Sequence, residues 1–136
     1  MADHLAELKR LARANPAYVL INSRAAAINS LMSVDEVPEF LVPMRDVWIS
    51  GTRLKGVRPV VTVTDRQVIV ITYSSRWRPP KYFTFNRRDI AAVSDYSDRG
   101  FEMTIANGQT VKMQGLIGGK AEDTMPLHLY ELLSKE

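Results

Sequence analysis

Val57-Arg58-Pro59-Val60-Val61-Thr62-Val63-Thr64, then Asp65-Arg66, then Gln67-Val68-Ile69-Val70-Ile71-Thr72-Tyr73 is the stretch that decides the fold. Two runs rich in Val, Ile and Thr suit a pleated, packed surface, and the two residues between them suffice for a hairpin turn. The pattern continues to Gly115. Tyr82-Phe83-Thr84-Phe85 places two phenylalanines on one side of a strand, and Ile90 to Tyr96 reads as another. Phe101–Ala106 and Gln109–Gln114 flank Asn107-Gly108, the hairpin signal expected of a type I′ turn, where both central residues need positive φ. Upstream, a first strand is expected within Phe40–Ile49, irregular at Pro43, followed by a loop over residues 50–56.

Helical spacing appears only at the two ends. Leu5, Leu8 and Leu11 or Ala12 follow Asp3, an expected cap, and Asn15-Pro16 ends that run. A second run spans roughly Ala17–Met32, with Ile21, Ala25, Ile28 and Leu31 or Met32 on one face. Ser33-Val34-Asp35-Glu36 resembles a further cap and turn. Helices this short need a surface to pack on, which is either the β region or a second copy of the chain. After Gly115–Gly119, Met125, Leu129, Leu132 and Leu133 form an apolar stripe expected to close one end of the sheet structure. The expected organisation is therefore a helical segment at 1–36 and a β domain at 37–136. Its class is α+β, a seven-stranded antiparallel bent sheet or barrel with a C-terminal helix and two N-terminal helices.

The chain has 136 residues, 46% hydrophobic and 24% charged, enough for one cored domain. It contains no cysteine, which removes disulfides and thiolate metal sites and fits a reducing compartment. Met1-Ala2-Asp3-His4 opens without the apolar run of a signal peptide, and the apolar segment 67–73 is too short to span a bilayer. The expected location is cytoplasmic, or peripheral at the inner face of the membrane. Net charge is +3, yet between Arg53 and Arg88 nine basic residues face one acid, Asp65. That imbalance points to an anionic partner, or else to solvated charges spread around the barrel.

Seven antiparallel strands followed by an amphipathic helix resemble a pleckstrin-homology (PH) domain. Local words are similar to the bacterial PH-like families. Val61–Val70 resembles their Thr-Asp hairpin, with Arg66 directly after Asp65; Asp89-Ile90-Ala91-Ala92-Val93 resembles the entry to the fifth strand; Gly100–Ile105 with Asn107-Gly108 resembles the sixth and seventh. The resemblance covers roughly Phe40–Ser134. It implies a non-enzymatic interaction module that binds a protein partner or an anionic surface, without a cofactor. In lipid-binding members the loop between the first two strands carries basic residues for anionic head groups, and Arg53, Lys55 and Arg58 occupy that loop here. Two residues rather than one separate Lys55 from Arg58, which departs from the phosphoinositide pattern and favours generic anion binding.

A second basic stretch, Arg76-Trp77-Arg78-Pro79-Pro80-Lys81, interleaves cations with an aromatic ring. Trp77 could enter a membrane interface, stack on a base, anchor a protein contact, or fold back over the barrel. The expected contact set is Arg53, Lys55, Arg58, Arg76, Trp77, Arg78 and Lys81. A protein partner leads, anionic lipid follows, and nucleic acid binding by a basic β-barrel is the reading from another class. The N-terminal helices offer a route to a homodimer.

No catalytic grouping is expected. His4 and His128 stand far apart without thiols or clustered carboxylates, so no metal site is read. Gly115–Lys120 fails as a phosphate loop, with Gln114 at the first glycine and Ala121 at the metal-binding hydroxyl. Asp35-Glu36 and Asp95/Asp98 read as turn residues.

Overall fold

The structure is a computed structural model that describes residues 4–13, 22–44, 46–54, 57–73, 81–97 and 100–114. Its β framework is two antiparallel sheets. Strands β1 (Pro38–Pro43), β4 (Val57–Thr64), β5 (Gln67–Tyr73) and β6 (Lys81–Asn86) form the first, in the order β1-β4-β5-β6. The second is ordered β3-β2-β9-β8-β7, from β2 (Asp46–Ile49), β3 (Thr52–Arg53), β7 (Ile90–Ser97), β8 (Gly100–Ile105) and β9 (Thr110–Gln114).

Among the described residues, nine strands in two sheets correct the expected seven, and the cause is local. The strand expected within 40–49 is interrupted after Pro43, so that β1 pairs with β4 and β2 pairs with β9. The Met44 N–H turns aside to the Pro59 carbonyl (2.8 Å). One extended segment thereby serves both sheets. Joining its halves and setting aside the two-residue β3 recovers seven strands. The expected helix at Met125–Leu133 lies outside the described residues.

Turn chemistry differs from expectation in an instructive way. Positive φ falls on Ser50 (51°) and Gly51 (84°), which link Ile49 to Thr52 as a two-residue hairpin of the I′ kind. At Asn107-Gly108 only Gly108 is left-handed, at 90°. Gly108 N–H donates to the Ile105 carbonyl (2.9 Å) and Ile105 N–H to the Gln109 carbonyl (2.8 Å). This is a three-residue loop, a type I turn followed by a glycine bulge. The Asn107 side chain accepts from the Gln109 N–H (2.9 Å), a bond within reach of a short amide.

Two apolar layers hold the molecule. Between the sheets, Met44, Val47, Ile49, Val61, Val63, Val68, Val70, Phe85, Met103, Ile105, Val111 and Met113 form the main core. On the other face of the first sheet, Leu41, Val60, Ile69 and Ile71 meet two helices, α1 (Leu5–Ala12) and α2 (Asn22–Asn29). Leu8, Ala12, Ala25, Ile28 and Met32 are buried there, so the helices dock on their own sheet. Helix α1 begins at Leu5 with His4 at its N-cap, making no side-chain cap bond; Asp3, the expected cap, lies outside the described residues. The His4 N–H donates instead to Asn29 Oδ1 (2.9 Å). His4 Nε2 lies 2.9 Å from the Ser33 carbonyl, an oxygen that only accepts, so this nitrogen carries the proton. Helix α2 stops at Asn29 rather than Met32. Leu31 and Met32 donate to carbonyls three residues back, the tighter winding common at helix ends.

Candidate functional site

The expected contact residues divide by position. Val57 pairs with Tyr73 and Thr72 with Lys81, so three consecutive strands of the first sheet bring Val57, Tyr73 and Lys81 to one end. Lys81 is exposed there. Arg58 lies in β4 beside this end. Arg53 is exposed on β3, four positions before Val57, and its guanidinium meets Asp46 at 3.2 Å. Lys55, Arg76, Trp77 and Arg78 lie outside the described residues.

Arg53 belongs to a cross-strand row that the sequence alone did not disclose. Ser94 pairs with Glu102, Glu102 with Lys112, Lys112 with Trp48, and Trp48 with Arg53. These residues alternate with the buried Val47, Ile49, Val111, Met113 and Met103, and therefore share the outer face of the second sheet. Trp48 is half-buried between two cations, while Glu102 reaches Lys112 at 3.7 Å. The signal lay in the alternation Asp46-Val47-Trp48-Ile49, which sends Trp48 outward once Val47 and Ile49 are assigned to the core.

The remaining basic residues stand elsewhere. The nine cations between Arg53 and Arg88 do not form one patch: Arg66, Arg87 and Arg88 sit at the opposite end of the first sheet, where the β4–β5 turn faces a single 3-10 turn, Arg87–Asp89. Gln67 pairs with Asn86, and the Arg87 N–H donates to the Arg66 carbonyl (2.9 Å). Arg87 is buried, not a solvated loop charge. Its guanidinium donates to Glu39 Oε1 (2.6 Å) and to the Thr64 carbonyl (2.9 Å), bonds that link the 3-10 turn to β1 and β4. Arg66 grips Asp35 with two parallel bonds of 3.1 and 2.7 Å. That fork holds the exposed Asp35 carboxyl below its ordinary value, chiefly through the hydrogen bonds, and raises Arg66 in turn.

Next to this pair lies a buried polar cluster. Glu36 accepts from the Thr64 hydroxyl, from Gln67 Nε2 (2.8 Å) and from the Ser33 N–H (3.2 Å). Gln67 Nε2 also donates to the Leu31 carbonyl (3.1 Å), and the Thr64 hydroxyl accepts from the Arg66 and Gln67 N–H groups. The network fastens residues 31–36 to the β4–β5 turn. Asp35 and Glu36 thus serve the turn and its anchoring. Among the described residues, Asp35, Glu36, Glu39 and Asp46 all have basic or hydrogen-bonding partners within the fold. No three His, Asp or Glu side chains among the described residues converge as metal ligands, and no described helix is long and apolar enough to cross a membrane.

No protein-family model and no curated protein sequence matches this chain. Among solved structures it is similar to one described as the Vps36 N-terminal PH domain, with a TM-score of 0.57 and 12% sequence identity. The likeness covers 76% of this chain and 80% of that one. Identity at that level speaks to architecture and to no shared chemistry: the chain has a pleckstrin-homology-like fold.

Proposed function

We propose that the protein is a non-enzymatic interaction module that engages an acidic surface on a protein partner through Arg53, Lys55, Arg58, Arg76, Trp77, Arg78 and Lys81. The observation that carries this reading is register. With Val57 opposite Tyr73 and Lys81 opposite Thr72, the basic segments 53–58 and 76–81 are tethered to neighbouring strand ends. The arginines, lysines and tryptophan of these two segments have the composition of an interface centre, where aromatic and Arg side chains contribute most. The chemistry of the described carboxylates agrees, since their partners are structural.

The working division remains residues 1–36 as a helical segment and 37–136 as the PH-like unit, with the module cytoplasmic or peripheral at the inner membrane face. A homodimer through the helices would have to use faces other than Leu8, Ala12, Ala25 and Ile28, which are occupied within the chain. A second reading, single-stranded nucleic acid, is favoured by Trp48 between Arg53 and Lys112, a stacking surface flanked by phosphate-binding cations.

The test compares three probes at low salt: a polyglutamate peptide, anionic vesicles and a single-stranded oligonucleotide. The expected result is peptide binding that falls at least about tenfold in the Arg76→Ala/Trp77→Ala/Lys81→Ala variant, with an unchanged urea midpoint. Preferential oligonucleotide binding lost in Trp48→Ala would transfer the function to the second sheet. Retention of none of the probes, or equal binding by the triple variant per folded molecule, removes the proposal.

A further inference from the structure

We propose that the cleft between the β4–β5 turn and the 3-10 turn at Arg87–Asp89 binds a phosphate monoester. The cleft encloses about 420 Å³ and is lined by Asp65, Arg66, Asn86, Arg87 and Arg88. It stands at the end of the first sheet away from Lys81 and does not depend on the loops invoked above.

The donors that face it outnumber the acceptors. A guanidinium has five N–H groups. Arg66 gives two of them to Asp35, which leaves three, and Arg88 is exposed with no ion-pair partner among the described residues. Asn86 adds an amide whose bond to Asp89 is long, at 3.4 Å. Against these stands one lining carboxylate, Asp65, one of whose oxygens already accepts from the Val37 N–H (2.8 Å). The counterions Asp35 and Glu39 neutralise Arg66 and Arg87 from outside the lining.

Shape narrows the ligand. Planar guanidinium forks match the oxygens of phosphate, and a monoester presents two charges on three terminal oxygens. The cleft is larger than a bare oxyanion and leaves room for the alcohol that the phosphate esterifies. Its walls are prebuilt. Arg87 ties the 3-10 turn to Glu39 and Thr64, and its N–H ties it to Arg66, so a ligand finds the two sides already in place. The alcohol belongs either to a soluble compound or to a lipid, and the experiment separates the two.

The intact chain is titrated with inorganic phosphate, glycerol 3-phosphate and phosphatidylcholine vesicles with or without phosphatidic acid, followed by amide NMR shifts and vesicle sedimentation. Expected are saturable shifts confined to residues 35–37, 65–67 and 86–89 with glycerol 3-phosphate, and weaker ones with inorganic phosphate. Arg88→Gln weakens binding at least about tenfold, and Asp65→Asn tightens it several-fold by removing the one repulsive lining charge. Binding of phosphatidic acid vesicles alone, lost in Arg88→Gln, assigns the phosphate to a lipid headgroup. The Arg76→Ala/Trp77→Ala/Lys81→Ala variant binds normally, which separates this site from the one at the other end. No shift up to about 50 mM ligand, or binding indifferent to both Arg88→Gln and Asp65→Asn, overturns the assignment.

Discussion

Leu8→Ala puts the helix layer to the sharpest test. Leu8 has no exposed surface and sits among Ala12, Ala25, Ile28, Leu41, Val60, Ile69 and Ile71. Truncation to alanine removes about three carbon groups from water-free surroundings, worth about 2.4 kcal/mol at 0.8 kcal/mol each. A cavity contribution is added to that, and buried Leu→Ala changes elsewhere cost about 3–5 kcal/mol. Helix α1 has only eight residues, of which Leu8 and Ala12 are buried, so it can settle partly into the gap. The lower end of the range is therefore expected, about 3 kcal/mol. For a chain of 136 residues that corresponds to a melting temperature about 10 °C lower.

The assay is urea unfolding followed by circular dichroism and Trp fluorescence at two protein concentrations about a hundredfold apart. One transition, displaced equally at both concentrations, is the expected result. Helices that joined copies of the chain would instead give a midpoint that rises with concentration. A loss under about 1 kcal/mol, or a separate early transition for the helices, would refute the argument that they complete the first sheet.

Thr62→Val is expected to stabilise the protein by about 1 kcal/mol, because the Thr62 hydroxyl is buried without a hydrogen-bond partner among the described residues and valine keeps its shape; thermal unfolding reads the gain. Glu36→Ala should cost about 2–4 kcal/mol in urea unfolding, since the Thr64, Gln67 and Ser33 donors lose a shared carboxylate acceptor, and Glu36→Gln should cost less. Gly108→Ala should cost about 1 kcal/mol through backbone strain alone, because φ is 90° and nothing lies within 4 Å of the added carbon. Asp35 titrates below its ordinary 3.8 in the folded state, so its contribution is present above that value and disappears as pH falls through the folded one. The urea midpoints of the wild type and Asp35→Asn should therefore differ at pH 6 and converge by about pH 2.

The strands were legible because local signals agree with their environment. Val68-Ile69-Val70-Ile71 shows no alternation, and all four are buried: Val68 and Val70 face the second sheet, Ile69 and Ile71 the helices. A run apolar on both faces requires a cover on both, which the helices supply. In contrast β6, an edge strand, alternates and leaves Tyr82 and Thr84 exposed. What the sequence hid depends on distant partners. Arg87 looks like any solvated arginine in Asn86-Arg87-Arg88-Asp89; its burial follows from Glu39, 48 positions away, and from the Thr64 carbonyl. The cleft likewise unites residues 65–66 with 86–88 through register alone. Ser50-Gly51 escaped notice as a turn because serine seldom takes positive φ, and Asn107-Gly108 misled because the same dipeptide fits two loop lengths.

The helix layer also decides where a partner can reach. With α1 and α2 across β1, β4 and β5, the broad face of the first sheet is closed; among the described residues, approach is left to its two ends, to β6 and to the outer face of the second sheet. Among the described cations, Lys81 stands at one end and Arg66, Arg87 and Arg88 at the other. Strand β4 runs eight residues from Val57 to Thr64, so about 23 Å of strand separates the Lys81 end from the Arg66 cleft. The screening length at physiological salt is about 8 Å. A charge altered at one end is then nearly unfelt at the other, and no small ligand touches both. Binding changes from Arg88→Gln and from the Arg76/Trp77/Lys81 substitutions must consequently combine independently, each on its own probe. Coupling between them would mean that the two ends answer to one extended partner laid along the molecule.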